Sequence, residues 1–316
     1  MMEKRFLLFC FAILQCFVSK AQFSDPREKF SITASVDGSS NTDYRWETTD
    51  GRLLENGRLR EGINARVRAN AKLVGSRFFF LSVSPFYIYS NRTLRPDIDG
   101  PQLNMSVPNN HHHYGGNITG SCNFMLFNKP FTVMAIVSGN FSEYGYENFS
   151  GMGGAMFTLI RNKRTYLSLG LMCLVGTSVS WPLYPLIFYS HQFNDRWSIR
   201  CMETDNFLYY HATQQLKLSL GMELETDKIY LRPNMKGMPK KMEISELAER
   251  FGFFADLQAT KELLFNFGLG VTVPFYNRLR ESGQNKTYMR MYDHVKPFVK
   301  FQVKYSIFKK QNTKKK

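Results

Sequence analysis

Residues 63–73 alternate without a break. Ile63, Ala65, Val67, Ala69, Ala71 and Leu73 are apolar, while Asn64, Arg66, Arg68, Asn70 and Lys72 between them are polar. A helix gathers its apolar residues at spacings of three and four, whereas period two places them on one face of a strand. Eleven residues is long for a globular strand, where about five or six is usual. It matches the roughly 9–11 tilted residues that cross a bilayer as β-structure.

The pattern recurs along the chain. Further candidate strands are 29–35, 77–90, 113–127, 131–141, 151–160, 165–178, 186–193, 197–203, 206–212, 216–225, 243–259, 263–276 and 294–308. Their connections alternate in length. Tight ones centre on Gly75, Lys129, Lys163, Asp195, Thr213 and Lys261. Longer ones span 36–60, 91–112, 142–150, 179–185, 226–242 and 277–293, and only the connection near Asp205 breaks the order. Short turns at one end and long loops at the other are the layout of an outer-membrane barrel. The expected fold is all-β, an antiparallel up-and-down transmembrane β-barrel of 12–14 strands with both termini periplasmic.

The N-terminus fits export. Lys4 and Arg5 precede the apolar run 6–18, and Ser19 and Ala21 occupy the small-residue positions of a cleavage site. Residues 1–21 read as a signal peptide, 22–308 as the barrel and 309–316 as a basic periplasmic tail. The formal charge is +15; removing residues 1–21, with three cations and one anion, lowers it to +13. Export argues against nucleic acid as the partner of this basic chain. Cys122, Cys173 and Cys201 remain after cleavage, an odd number without CxxC spacing, and read as wall or core positions.

The leader ending in "SKAQ", the succession of hairpins and the aromatic-rich final strand "FVKFQVKYSIF" resemble outer-membrane β-barrel proteins of Gram-negative bacteria. More narrowly, they resemble barrel families of uncharacterised function within that group. The resemblance covers roughly residues 22–308 and departs from the pattern at the end, where Phe308 is followed by eight basic and polar residues. It implies a bacterial outer-membrane location. The implied partners are the lipid bilayer, lipopolysaccharide, the outer-membrane insertion machinery and small solutes.

With Ile63–Leu73 facing lipid, Arg66, Arg68 and Lys72 face the lumen. Lys296, Lys300 and Lys304 take the same orientation on the last strand, which must close against the first. Six cations therefore line one sector of the inner wall, or pair there with lumenal acids such as Glu246 and Asp256 and fill the barrel. Phe78, Phe80 and Phe254 are expected inside. The leading function is a passive channel or small-solute transporter with a cationic inner wall. The alternative is a non-conducting structural or surface-binding barrel that acts through its loops.

Catalytic and metal sites find little support. There is no GxSxG or HExxH motif, and Ser190 and His191 point to opposite faces. In "HHH", His111 and His113 share a face, but three or four convergent ligands are lacking, and the segment reads as a hydrated loop end. Trp181, Tyr184 and Pro185, with Tyr144 and Tyr146, read as interface anchors. No cofactor motif is present, and no enzyme activity is expected.

Overall fold

The computed structural model describes residues 28–308 except 77, 102, 104, 106, 177–182, 203–204 and 234–236. The leader, the tail and Trp181 lie outside the described residues. Sixteen strand segments form a single antiparallel sheet: β1 (Glu28–Ser39), β2 (Thr42–Thr48), β3 (Leu53–Gly75), β4 (Phe79–Pro96), β5 (Asn110–Leu126), β6 (Lys129–Ser142), β7 (Gly145–Arg161), β8 (Thr165–Val175), β9 (Leu183–Gln192), β10 (Trp197–Cys201), β11 (Asp205–His211), β12 (Leu216–Leu231), β13 (Met242–Gln258), β14 (Leu263–Glu281), β15 (Thr287–Asp293) and β16 (Lys296–Phe308).

Two pairs of segments each make one long stave. β1 and β2 both run antiparallel to β3, and β15 and β16 both run antiparallel to β14. The result is a closed, up-and-down barrel of fourteen staves. Closure occurs twice along its height. At the terminal end β1 pairs with β16, from Glu28 opposite Phe308 to Ser39 opposite Phe298. Beyond the breaks, β2 pairs with β15, from Tyr44 opposite Asp293 to Thr48 opposite Met289. No edge is left open, as a spanning sheet requires.

The tight turns gather at the terminal end. Between β5 and β6 only Phe127 and Asn128 intervene, at φ of 51° and 59°. Positive φ at both central residues is the turn whose twist suits a two-residue hairpin.

The longer connections differ from the sequence expectation. Most of 36–60, 142–150 and 277–293 is strand, with β6 and β7 joined through Glu143 and Tyr144 alone. The connections between β4 and β5 and between β12 and β13 span 97–109 and 232–241, shorter than the 91–112 and 226–242 read from the sequence, and most of the connection read at 179–185 lies outside the described residues. The physical reason is that the ladder of backbone hydrogen bonds continues past the lipid. Once the outer face meets water, period-two apolarity disappears while the strand does not.

Candidate functional site

Alternation on β1, β3, β12, β13 and β16 turns polar residues inward, where they meet across the lumen. Asp37 of β1 is fully buried and accepts from Arg250 of β13 at 2.6 Å, Arg66 of β3 at 3.0 Å and Asn64 at 3.4 Å. Arg66 also reaches Glu225 of β12, which Arg250 approaches at 3.1 Å. Lys300 of β16 sits 2.7 Å from both oxygens of Glu223. Arg92 of β4 meets Glu246 of β13 and lies 3.5 Å from Asp227 of β12. Asp37–Arg66, Asp37–Asn64 and Arg250–Glu225 join neighbouring strands, whereas Asp37–Arg250, Arg66–Glu225, Lys300–Glu223, Arg92–Glu246 and Arg92–Asp227 join strands that are not neighbours in the sheet. The contacts therefore form a belt across the interior. The cavity left within it is about 40 Å³, lined among others by Asn64, Thr272 and Asn277. That is room for a few waters at about 10–15 Å³ each.

The six cations named from the sequence are all placed on β3 and β16, but they do not form a bare stripe. Arg66 and Lys300 belong to the belt. Lys304 pairs with Glu28 at 3.0 Å, and Lys296 with Asp293 at 2.9 Å. Lys72 lies 5.6 Å from the centroid of the Phe80 ring. Arg68 is half-buried and has no ion pair among the described residues. Of the two acids named from the sequence, Glu246 takes Arg92, and Asp256 takes Lys217 at 2.7 Å. The sequence reading missed Asp37, Glu223, Glu225, Asp227, Arg92 and Arg250. The signal for three of them was present: positions 223, 225 and 227 alternate, so all three carboxylates share one face of β12.

Beyond the belt, toward the end away from the termini, an apolar cluster fills part of the interior. Tyr44 and Trp46 of β2 pack with Leu59, Ile229, Leu231, Met242, Ile244, Leu279, Met289 and Met291. Segment 97–109 lays Leu103, Met105 and Val107 against this cluster. Its position is fixed by the Leu103 amide, which donates to Glu55 at 2.9 Å, and by the Tyr44 hydroxyl, which donates to the same carboxylate at 2.7 Å. Staves from opposite walls also touch here. Asn148 of β7 donates to Glu243 of β13 at 3.2 Å, and Arg232 pairs with Glu147 at 2.6 Å.

Four residues sit elsewhere than the sequence reading placed them. His111 and His113 are not at a hydrated loop end; both are buried on the inner face of β5, and His113 packs edge-on against Tyr230 of β12 at 5.3 Å. His112 faces outward and bonds the Tyr87 hydroxyl at 2.8 Å. Tyr184 is not an interface anchor. It is buried in an inner cluster of β6–β9 with Met156, Met172, Leu174, Leu186 and Phe188. Phe78 is 64% exposed at a turn, whereas Phe254 does lie inside, with Phe207, Tyr209 and Phe298. The sequence reading makes His111, His113 and Tyr184 loop residues, but they stand on β5 and β9, where alternation turns them inward; Phe78 precedes β4 in a turn and is not held to either face. His191 bonds Thr165 at 2.9 Å and not the adjacent Ser190.

The outer face is the converse of the interior. Ile32, Val36, Ile63, Val67, Ile118, Val137, Leu171, Ile187, Leu220, Leu269 and Val299 all stand exposed on it. Aromatic pairs flank this band, including Phe131–Phe157 at 4.4 Å, Trp197–Tyr210 at 4.9 Å and Tyr146–Phe149 at 5.3 Å. An edge-free barrel with charges inside, an apolar belt outside and aromatic flanks is built for a bilayer. This is the architecture of a membrane-spanning β-barrel.

No protein-family model matches the sequence, and no curated protein does. Among solved structures, the chain is similar to the COG4313 outer membrane channel from Pseudomonas putida F1 at 10% identity, covering 92% of this chain and 100% of that one, with a TM-score of 0.45. A Pseudomonas aeruginosa FadL homologue matches at 10% identity over 88% and 90%, with a TM-score of 0.41. The P. putida toluene transporter TodX matches at 6% identity over 94% of each chain, with a TM-score of 0.37. Likenesses this distant carry no argument about solute or mechanism.

Proposed function

We propose that this barrel transports small solutes across the outer membrane and that the ionic belt is its closed gate. The supporting observation is the kind of filling the lumen has. Eight strands are about the number that side chains alone can fill, and 16–18 leave an aqueous channel. A fourteen-stave barrel lies between, and here long charged side chains reach across its interior. Apolar residues of similar volume would fill the space with equal or greater stability, because desolvating ions offsets their attraction. Charges are the better choice for a closure that must rehydrate and part. Opened, the belt exposes Arg66, Arg68, Lys72, Lys296, Lys300 and Lys304 to the passing solute, and with their carboxylates drawn aside they favour anions.

In this reading both termini are periplasmic, and the extended connections 97–109 and 232–241 face outside, as in barrels of this type. Residues 1–21 direct export and are removed, and the insertion machinery places the barrel. Catalysis has no part in it. The apolar packing of Leu103, Met105 and Val107 at the far mouth favours the second reading, a non-conducting barrel that works through its surface.

Planar-bilayer recording separates the two. The refolded wild type should be nearly silent, and Asp37→Ala with Arg250→Ala should conduct, with a reversal potential displaced toward anions across a salt gradient. A folded double variant that stays silent would show that the belt is not the gate and would favour the second reading.

A further inference from the structure

The tips of β12 and β13 at the far mouth are covered on both faces. Nearer the terminal end of β13, Phe251 and Phe253 stand exposed and Phe254 is buried, as on a wall with lipid on one side. From Met242 to Ser245, by contrast, four successive residues are buried. Ile229, Tyr230 and Leu231 of β12 are buried in succession as well. Successive residues of a strand point to opposite faces. These tips therefore form an inner layer of the mouth, a tongue with neighbours on either side.

One face of the tongue is apolar. Ile229, Leu231, Met242 and Ile244 pack there in the cluster of Tyr44, Trp46 and Met289. The other face is polar and meets β5–β7. Tyr230 packs edge-on against His113, whose Nε2 lies 3.1 Å from the Asn140 side-chain oxygen. Asn140 donates to Asn148 at 2.9 Å, and Asn148 donates to Glu243 at 3.2 Å and to Ser282 at 3.0 Å. Arg232 pairs with Glu147 at 2.6 Å. Nδ1 of His113 and Oε2 of Glu147 are buried in this interface with no hydrogen-bond partner among the described residues.

The backbone ladder treats the two faces differently. On the apolar side it is unbroken from β12 through β13, β14, β15 and β2 to β3. On the polar side it stops short of the rim. β7 pairs with β8 no further than Gly151 opposite Val175, and β12 with β11 no further than Glu223 opposite Asp205. Among the described residues, the tips of β7 and β12 meet only through side chains. Parting the apolar side would break ladder pairs and expose hydrocarbon, at a cost that grows with area. Parting the polar side exchanges side-chain hydrogen bonds for bonds to water, a nearly even exchange, and lets water reach the two unpartnered atoms. The belt stands at the base of this interface. Asp227 of β12 and Glu246 of β13 hold Arg92 of β4, the strand next to β5, and so tie the β5–β7 side to the tongue.

We infer that the far mouth opens along the polar face of the tongue. The tips of β5–β7 swing away from β12–β13, the tongue stays on β2 and β15, and solute passes between His113, Asn140 and Asn148 on one side and Tyr230 and Glu243 on the other. Glu147 and Glu243 are balanced by Arg232 and Arg280, so the slit opposes neither sign of charge and admits hydrophilic solutes in preference to apolar ones. The inference rests on the proposed function in taking the belt as what holds the lumen shut.

The test uses the refolded full-length barrel with Cys122, Cys173 and Cys201 replaced by serine. Asn148→Cys reports on the polar face, and Leu279→Cys and Met289→Cys report on the apolar one. Each is made with and without Asp37→Ala/Arg250→Ala, its folding is checked by heat-shifted gel mobility, and its reaction with a small charged methanethiosulfonate is timed. Loss of the belt should speed modification of Asn148→Cys about tenfold or more, the response of a site that reacts only when open, and should leave both apolar-face thiols slow. An apolar-face thiol that speeds up as much, or an Asn148→Cys thiol that does not, would overturn the inference. In planar bilayers, Asn148→Cys/Ser282→Cys in the belt variant should pass little current when oxidised and recover it on reduction. A belt variant that stays silent while Asn148→Cys reacts fast supports the opening and removes transport. One that conducts equally with the disulfide formed and reduced overturns the opening and leaves transport standing.

Discussion

At the residue scale, Asp37 is the position on which the belt depends most. It is fully buried, with two guanidinium groups and an amide on its oxygens. Removing one partner from a buried ionic cluster leaves uncompensated charge, at a cost of about 3–5 kcal/mol. Asp37→Ala should lower stability by that order in urea unfolding followed by gel mobility. Lys304→Ala, whose partner Glu28 lies near the terminal mouth, should cost less. The sequence made Asp37 legible only as a polar residue of the right parity. Its partners Arg66 and Arg250 come from positions 29 and 213 residues away, and no local pattern couples them.

At the scale of elements, the strands were legible where they cross lipid and not where they leave it. Residues 63–73, 131–141 and 294–308 have one face in lipid, and lipid accepts no polar residue, so the alternation there is strict. β2 and β15 lie past that constraint. Their outer residues Arg45 and Arg290 can be charged, and the staves they complete were read as loops. β12 shows the same limit from inside. Its three alternating acids are visible, but nothing local says that they meet β3, β4 and β16. A charge-exchange cycle tests that meeting. Lys300→Glu and Glu223→Lys should each destabilise the barrel, and the double variant should recover part of the loss, with a coupling of about 0.5–3 kcal/mol. Strict additivity would mean that these two side chains do not interact.

At the scale of the whole molecule, the barrel separates three environments: lipid outside, charge in the lumen and an apolar fill toward the far mouth. Cys173 is exposed on the outer wall of β8, opposite Gly153 and Leu183. A fluorophore on Cys173, with Cys122 and Cys201 replaced by serine, should be quenched strongly by a nitroxide in the acyl chains and weakly by iodide in water. The reverse order would place that wall in contact with water and contradict the lipid-facing assignment.

The sequence alone determined that this chain is a membrane barrel. Period two over a bilayer's thickness, repeated in fourteen segments, favoured a closed barrel over an exported sandwich, because a spanning sheet must satisfy its backbone polar groups internally. It also determined which face of each crossing strand meets lipid, because that face is the one denied polar residues. The tertiary structure alone decided what the lumen contains. Whether Arg66 lines a pore or closes one depends on its distance from Glu225 on a strand across the interior, and that distance is set by how the whole sheet closes. Period two tells inside from outside; it carries no information about which inward residues face one another.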